Sequence, residues 1–315
     1  MQNVLVDIFK KHGPAGALLC FDVDLTLRNS MCRETPVHET AALMELYFRS
    51  NEGLILMTGR SSEAVDETFC GQFPGSFEHH SAIRLEQGGD IIALAPELNT
   101  SYVAQRASQL INGHIYQVED PEKVRDAEGR YACVYPEVKS FAIALVHSLG
   151  HDEVDAVRNK LQEVASHILT ELKIDNTHKI AIGNDAIEIV PRGLGPNSAA
   201  AQFLEAGQID FMKQNGLSKI AGVHNFMSLS QNQNRTPYVI GDSGTDGVAM
   251  NAAHQSFNGG GIWVSNGKPV PEQFSAAVDN RMIQNFSVTW DHINNAVEYL
   301  REHRRKVVLM PTLST

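Results

Sequence analysis

The stretch ALLCFDVDLT, residues 17–26, decides how the rest of the chain is read. An apolar run, Ala17 to Phe21, ends in two carboxylates one residue apart, Asp22 and Asp24, with Thr26 two positions on. An unbroken apolar run of this length reads as a strand buried on both faces, the kind found in parallel sheets. Carboxylates this close together beside a buried strand repel each other and lose hydration unless a cation or a reaction needs them. The plain alternative is a strand end with solvated acids and a turn-forming aspartate. The short pattern alone does not choose between the two.

Working outward, buried-looking strands alternate with helical periodicity. A helical pattern over 38–48 is followed by the strand GLILMTGR (53–60) and a helical stretch over 61–70. Near the other end come a helix around 198–205, the strand YVIGD (238–242), a helix over 245–252, the strand GGIWVSN (260–266) and the helix WDHINNAVEYLREH (290–303). This grammar predicts a doubly wound, Rossmann-like α/β domain whose ligands bind at the carboxyl ends of the strands. The middle differs: a helix ending near 111, a polar loop (118–130), neighbouring strands YACVYPE (131–137) and KSFAIALVH (139–147), a long helix (152–172) and a hairpin (178–191) turning on residues 183–185. Paired strands with helices predict an α+β module spanning 104–190, inserted into a core made of 1–103 and 191–315.

At 315 residues, with 43% apolar and 20% charged side chains, the chain can bury a sizeable core. Its net charge of -11 opposes general attraction to nucleic acid or anionic membrane, so an anionic substrate needs a local cation. The four cysteines make neither a CxxC pair nor zinc-ligand spacing, and no segment reaches the length of a membrane span. The expectation is a soluble cytoplasmic protein with reduced thiols. The sequence does not indicate an oligomeric state.

Three strand ends now align: FDVDLT (Asp22, Asp24, Thr26), MTGR (Thr58, Gly59, Arg60) and GDSGTD (Asp242, Asp246). In an open parallel sheet such ends converge on one crevice. Asp22, Asp24, Asp242 and Asp246 would then share a cleft, which is tolerable around a hard cation such as Mg2+. In this reading Asp22 is ionised and attacks phosphorus, forming an aspartyl phosphate that water cleaves. Asp24 protonates the leaving alcohol and later activates the water, and Thr58 with the amides at Gly59 binds phosphoryl oxygens.

The motifs DVDLT, MTGR and GDSGTD, in this order and with an α+β insertion between the second and third, resemble the haloacid dehalogenase phosphatase superfamily. The resemblance implies a Mg2+-dependent phosphomonoesterase whose inserted cap reads the leaving group. The superfamily also uses a basic residue, commonly a lysine shortly after the cap in a context like RPxGxxKG. Here the stretch reads EIVPRGLGPNS, and aligning Gly193 with the family glycine puts Pro196 at the lysine position. Either Arg192, the nearest cation in sequence, takes that role, or another basic residue substitutes, or the site runs impaired. Arg60 has the alternative of a structural ion-pair partner.

The strand PEVKSFAIALVH and the segment AIEIVPRG resemble the cap of trehalose-phosphate phosphatases, which implies sugar contacts from Glu137, Lys139, His147 and Glu188. A phosphorylated sugar, with trehalose 6-phosphate as the leading case, is therefore the expected substrate. On one continuous strand Lys139 would share a face with Phe141, Ile143 and Leu145, so a bulge or an early strand end is required. Two alternatives stay open: a catalytically weakened protein that binds a phospho-ligand, and a phosphomutase or phosphotransferase that shields its aspartyl phosphate from water.

Overall fold

A computed structural model describes residues 3–28, 37–111, 135–146, 154–182, 186–196, 198–278 and 281–308. The chain divides into two compact units: one of residues 1–91 and 218–315, the other of residues 92–217. The second unit is thus wider in sequence than the segment 104–190. Its helix Thr100–Leu110 buries Val103, Ala104 and Ala107 in the same cluster as the helix Val154–Leu172.

In the first unit one sheet runs in the order Met282–Ile283, Gly260–Val264, Thr236–Gly241, Ala17–Phe21, Leu54–Met57, Gly75–Phe77 and Ala82–Arg84. Every pairing is parallel except the last, which is antiparallel. Ala17–Phe21 is buried at every position because both faces are covered. Leu18 and Cys20 join Ile55, Met57, Val223, Phe226 and Trp263 in one cluster, while Leu19 and Phe21, of opposite parity, face the other way. Each fully buried large apolar side chain contributes about 1.5–3 kcal/mol of transfer free energy, which is what holds a strand with two apolar faces at the centre of the sheet. The helices Val4–His12, Val37–Arg49 and Phe286–Val308 pack together, as do Lys219–Ser228 and Gly244–Phe257.

The register places the functional strand ends side by side. Phe21 pairs with Ile240 on one side and Leu56 on the other, so Asp22, Asp242 and Thr58 each leave the sheet at neighbouring points. Two helices interrupt the predicted path back to the sheet: Ala206–Asn215 and Lys219–Ser228 follow the short helix Ala200–Phe203 before Thr236–Gly241 begins.

The second unit contains an antiparallel sheet in the order Tyr135–Val138, Ile143–Val146, Ala186–Pro191, His178–Ile182. Ile143, Leu145, Ile187 and Ile189 pack against the helices Thr100–Leu110 and Val154–Leu172. The predicted strand over 139–147 starts later than expected. Residues 139–142 turn the chain instead, with the Lys139 amide donating to the Ala142 carbonyl at 3.1 Å, and this removes the conflict between charged and apolar side chains on one face. The hairpin positions 183–185 lie outside the described residues.

Candidate active site

Asp22 continues the central strand, its amide donating to the Ile240 carbonyl at 2.8 Å, and its residue is only 7% exposed. The chain then turns tightly: Leu25 takes the left-handed region (φ 55°), its amide donates to the Arg28 carbonyl, and Asn266 and Trp290 donate to the carbonyls of Leu25 and Leu27. These bonds anchor the DVDLT loop from outside itself.

Asp246 arrives by a different route. Ser243 caps the helix Gly244–Phe257 and forms a reciprocal capping box with Asp246. One carboxylate oxygen, Oδ2, accepts from the Ser243 amide (3.1 Å) and hydroxyl (2.5 Å), leaving Oδ1 aimed elsewhere. Gly241 permits this approach, since a Cβ there would stand 2.3 Å from the Asp246 carboxyl carbon. One oxygen each from Asp22, Asp242 and Asp246 lies within 4.8 Å of the others.

The cation among them is Lys219. Its Nζ donates to Asp22 Oδ1 at 2.8 Å and to Asp246 Oδ1 at 2.5 Å, and all three side chains are less than a tenth exposed. Ser218 caps the helix that Lys219 begins. An ammonium at a helix N-terminus opposes the helix dipole by about 0.3–1 kcal/mol, so local propensity does not explain its place and the two carboxylates do. Burial works against the charged ammonium, yet Asp22 and Asp246 outweigh it and hold Lys219 above the usual lysine range. Burial first, then Asp246, pushes Asp22 well above the usual carboxylate range against the pull of Lys219. The same two causes raise Asp242 to about 6.

Three crowded carboxylates with one ammonium bonded among them leave negative charge in excess, and every donor is a hard oxygen. This set fits a hard divalent cation such as Mg2+, which favours carboxylate oxygens completed by water and substrate phosphate. Asp22, Asp242 and Asp246 are the residues that would hold it.

Two expectations are corrected by this geometry. Arg192 does not supply the cation: its Nε donates to the carbonyls of Asp175 and His178 at 2.8 Å each, where it ties together its own unit. A lysine does reach the acidic group: Lys219, 23 positions beyond Pro196 and after the interposed helix Ala206–Asn215. The carboxylate of Asp24, expected among the metal ligands, stands outside the acidic group. Arg60 grips it in a forked ion pair, Nε to both oxygens (3.0 and 2.8 Å) and a terminal nitrogen to Oδ1 (2.7 Å).

Thr58 is buried at the adjacent strand end. Its amide donates to the Ser76 carbonyl and its hydroxyl oxygen accepts from the Arg60 amide at 3.2 Å, bonds that do not use the hydroxyl proton. Gly59 follows it, packed against the His79 ring.

In the second unit Lys139 and Glu188 form an ion pair of 2.8 Å, mostly shielded from solvent. The register puts Glu137 opposite Ala144, Ala144 opposite Glu188 and Glu188 opposite Ala181. These four form one cross-strand row, on the face opposite the apolar cluster. His147 lies outside the described residues.

A search of protein-family models finds no match, and no curated protein matches the chain either. Solved structures do match. The chain has a haloacid dehalogenase-like α/β fold, shared with solved trehalose-6-phosphate phosphatase structures. It is similar to a trehalose-6-phosphate phosphatase related protein at 14% identity and TM-score 0.54, over 92% of this chain and 100% of that one. It is also similar to the C-terminal domain of the C. albicans trehalose-6-phosphate phosphatase, at 12% identity and TM-score 0.55, over 94% and 96%. A third structure is the C-terminal domain of the Candida albicans trehalose synthase regulatory protein, at 10% identity and TM-score 0.53, over 91% and 97%. At these identities the likeness is one of fold. Among the described residues no helix is long and apolar enough to cross a membrane.

Proposed function

We propose that the chain is a Mg2+-dependent phosphomonoesterase that acts on a phosphorylated sugar through an aspartyl phosphate on Asp22. The observation that carries this reading is Lys219 bridging Asp22 and Asp246 at the carboxyl end of the central strand. A strand-end carboxylate held this way has a fixed oxygen to present to phosphorus and a buried cation beside the developing charge. Bound Mg2+ would neutralise the remaining acids and keep Asp22 ionised.

Asp22 attacks phosphorus as the bond to the sugar oxygen breaks, and Lys219 stabilises the charge spreading over the equatorial oxygens. Asp24, protonated, gives its proton to the leaving sugar alcohol. As carboxylate it then takes a proton from the water that cleaves the aspartyl phosphate, which restores Asp22 and releases inorganic phosphate. Thr58 donates to a phosphoryl oxygen, and the amides at Gly59 hold a second. Glu137, Lys139 and Glu188, on the polar face of the second unit, supply hydrogen bonds to sugar hydroxyls, with His147 as a further contact. The similarity in fold to trehalose-6-phosphate phosphatases makes trehalose 6-phosphate the first substrate to try.

A second reading, phospho-ligand binding without turnover, has one observation in its favour. Arg60 engages both carboxylate oxygens of Asp24 in a forked ion pair, so the group that would protonate the leaving alcohol is already occupied. Against it stands Lys219, a buried cation bonded to both Asp22 and Asp246.

The deciding experiment is phosphate release from a panel of sugar phosphates with Mg2+, comparing the natural chain with Asp22→Asn and Lys219→Met. Turnover abolished by the first and strongly reduced by the second is the expected result. Ligand-induced stabilisation without release of phosphate from any panel member would move the assignment to the binding protein.

A further inference from the structure

Between Phe77 and Ser81 the chain adopts a conformation that L-residues avoid: Glu78, His79 and His80 have φ of 48°, 57° and 73° in succession. Such a segment persists only where its surroundings over-determine it. Its backbone is tied to the threonine loop, since the Glu78 amide donates to the Arg60 carbonyl (3.0 Å) and the His79 amide to the Thr58 carbonyl (3.4 Å). The His79 ring lies 3.1 Å from where a Cβ on Gly59 would stand.

The His80 side chain binds a different element. Nδ1 is 2.8 Å from Ser76 Oγ, Nε2 is 2.8 Å from Asn225 Nδ2, and both His80 and Asn225 are completely buried. Burial lowers His80 to about 3, so the ring is neutral and has one donor and one acceptor nitrogen. With Asn225 donating to Nε2, the Nδ1 proton goes to Ser76. Asn225 lies on the helix Lys219–Ser228, six positions beyond the lysine. Between them, Gly222 brings the helix backbone against Ser76: a Cβ there would stand 3.2 Å from Oγ and 3.5 Å from His80 Nδ1. A helix seated at Gly222 and bonded at Asn225 has its height and rotation set, and with them the point from which Lys219 reaches Asp22.

We propose that His80 and Asn225 are positioning residues for Lys219, and that the left-handed turn Glu78–His79–His80 aligns the lysine helix with the threonine loop. This rests on the reading that Lys219 and Thr58 act on a phosphoryl group. Neither His80 nor Asn225 touches substrate; both act through the placement of the ammonium.

The test uses Asn225→Leu, close in size but unable to bond, in the natural chain and in Lys219→Met. With 4-nitrophenyl phosphate and Mg2+, Asn225→Leu should lower kcat about tenfold or more with KM little changed, and have no further effect once Lys219 is gone, because residues acting through one group are not additive. The second readout does not need turnover: acetylation of Lys219 by acetic anhydride, followed by peptide mass spectrometry, should be about tenfold faster in Asn225→Leu as the ammonium loses its buried ion pairs. His80→Gln in the natural chain, which keeps a donor and an acceptor, should leave both values close to those of the unmodified protein. Should Asn225→Leu fail to fold, Gly222→Ala shifts the helix without removing a bonding group and must give the same signs. Equal kcat losses in both backgrounds with unchanged acetylation would overturn the proposal. If the natural chain releases no phosphate, the phosphatase reading falls and the acetylation rates alone decide this one.

Discussion

Lys219 and Asp22 are 197 positions apart in the chain, yet the lysine Nζ lies 2.8 Å from Asp22 Oδ1, and the same nitrogen reaches Asp246. Removing one member of so buried a charge cluster uncovers the others. In Mg2+-free buffer Lys219→Met should cost about 3–5 kcal/mol of stability. With Mg2+ it should recover part of this, yet lose about 100- to 1,000-fold in kcat, the scale of one preorganised transition-state contact. Paired thermal melts and phosphate-release rates check both numbers.

Asp242 makes the site pH-dependent. Its value is raised to about 6 by burial and by Asp246, against about 3.9 in an unfolded chain. Between those values the folded state holds more protons, so stability without Mg2+ should fall as pH rises from about 4 to about 6, by at most about 3 kcal/mol. Asp242→Asn should flatten this slope. Mg2+ competes with the proton, so it should raise the melting temperature less at pH 5 than at pH 7.5 in the natural chain, and little at either pH in the variant. Denaturation across pH with and without Mg2+ measures all of this.

Asp24→Asn should separate substrates by their leaving groups. A sugar alcohol needs a proton as it departs and a nitrophenolate does not. The variant should lose about 100- to 10,000-fold in kcat/KM on the best sugar phosphate, and markedly less on 4-nitrophenyl phosphate. Equal losses on both substrates would remove Asp24 from leaving-group protonation.

Gly241→Ala should disturb the acidic group without changing any charge. A Cβ 2.3 Å from the Asp246 carboxyl carbon must push that side chain or the strand aside. The expected result is a loss of about 1–3 kcal/mol in stability, as for other overpacked sites, with a weakened melting response to Mg2+. An unaltered Mg2+ titration would show that Asp246 is not needed for the metal.

The strand ends were legible because their signals are local. An apolar run stopping at Asp22, another at Thr58 and a third at Asp242 need only the rule that parallel strands deliver their carboxyl ends to one side. Lys219 was not legible in this way. Its local signal, Ser218 as a cap followed by the apolar residues Ile220, Val223 and Phe226, marks a helix start and says nothing of what the lysine meets. Sequence proximity pointed instead to Arg192, whose guanidinium satisfies backbone carbonyls of its own unit.

The sequence by itself determined the class of sheet, the order of its motif-bearing strands and the presence of an inserted α+β segment, because periodicity and strand-end chemistry are written in neighbouring residues. Only the tertiary structure decided which cation meets Asp22, that Asp24 is held by Arg60, and that a left-handed turn at Glu78–His80 bonds both the threonine loop and the lysine helix. Those pairings depend on how helices seat on the sheet. Seating is fixed by long-range packing and by buried hydrogen bonds such as His80 to Asn225, whose partners lie 145 residues apart.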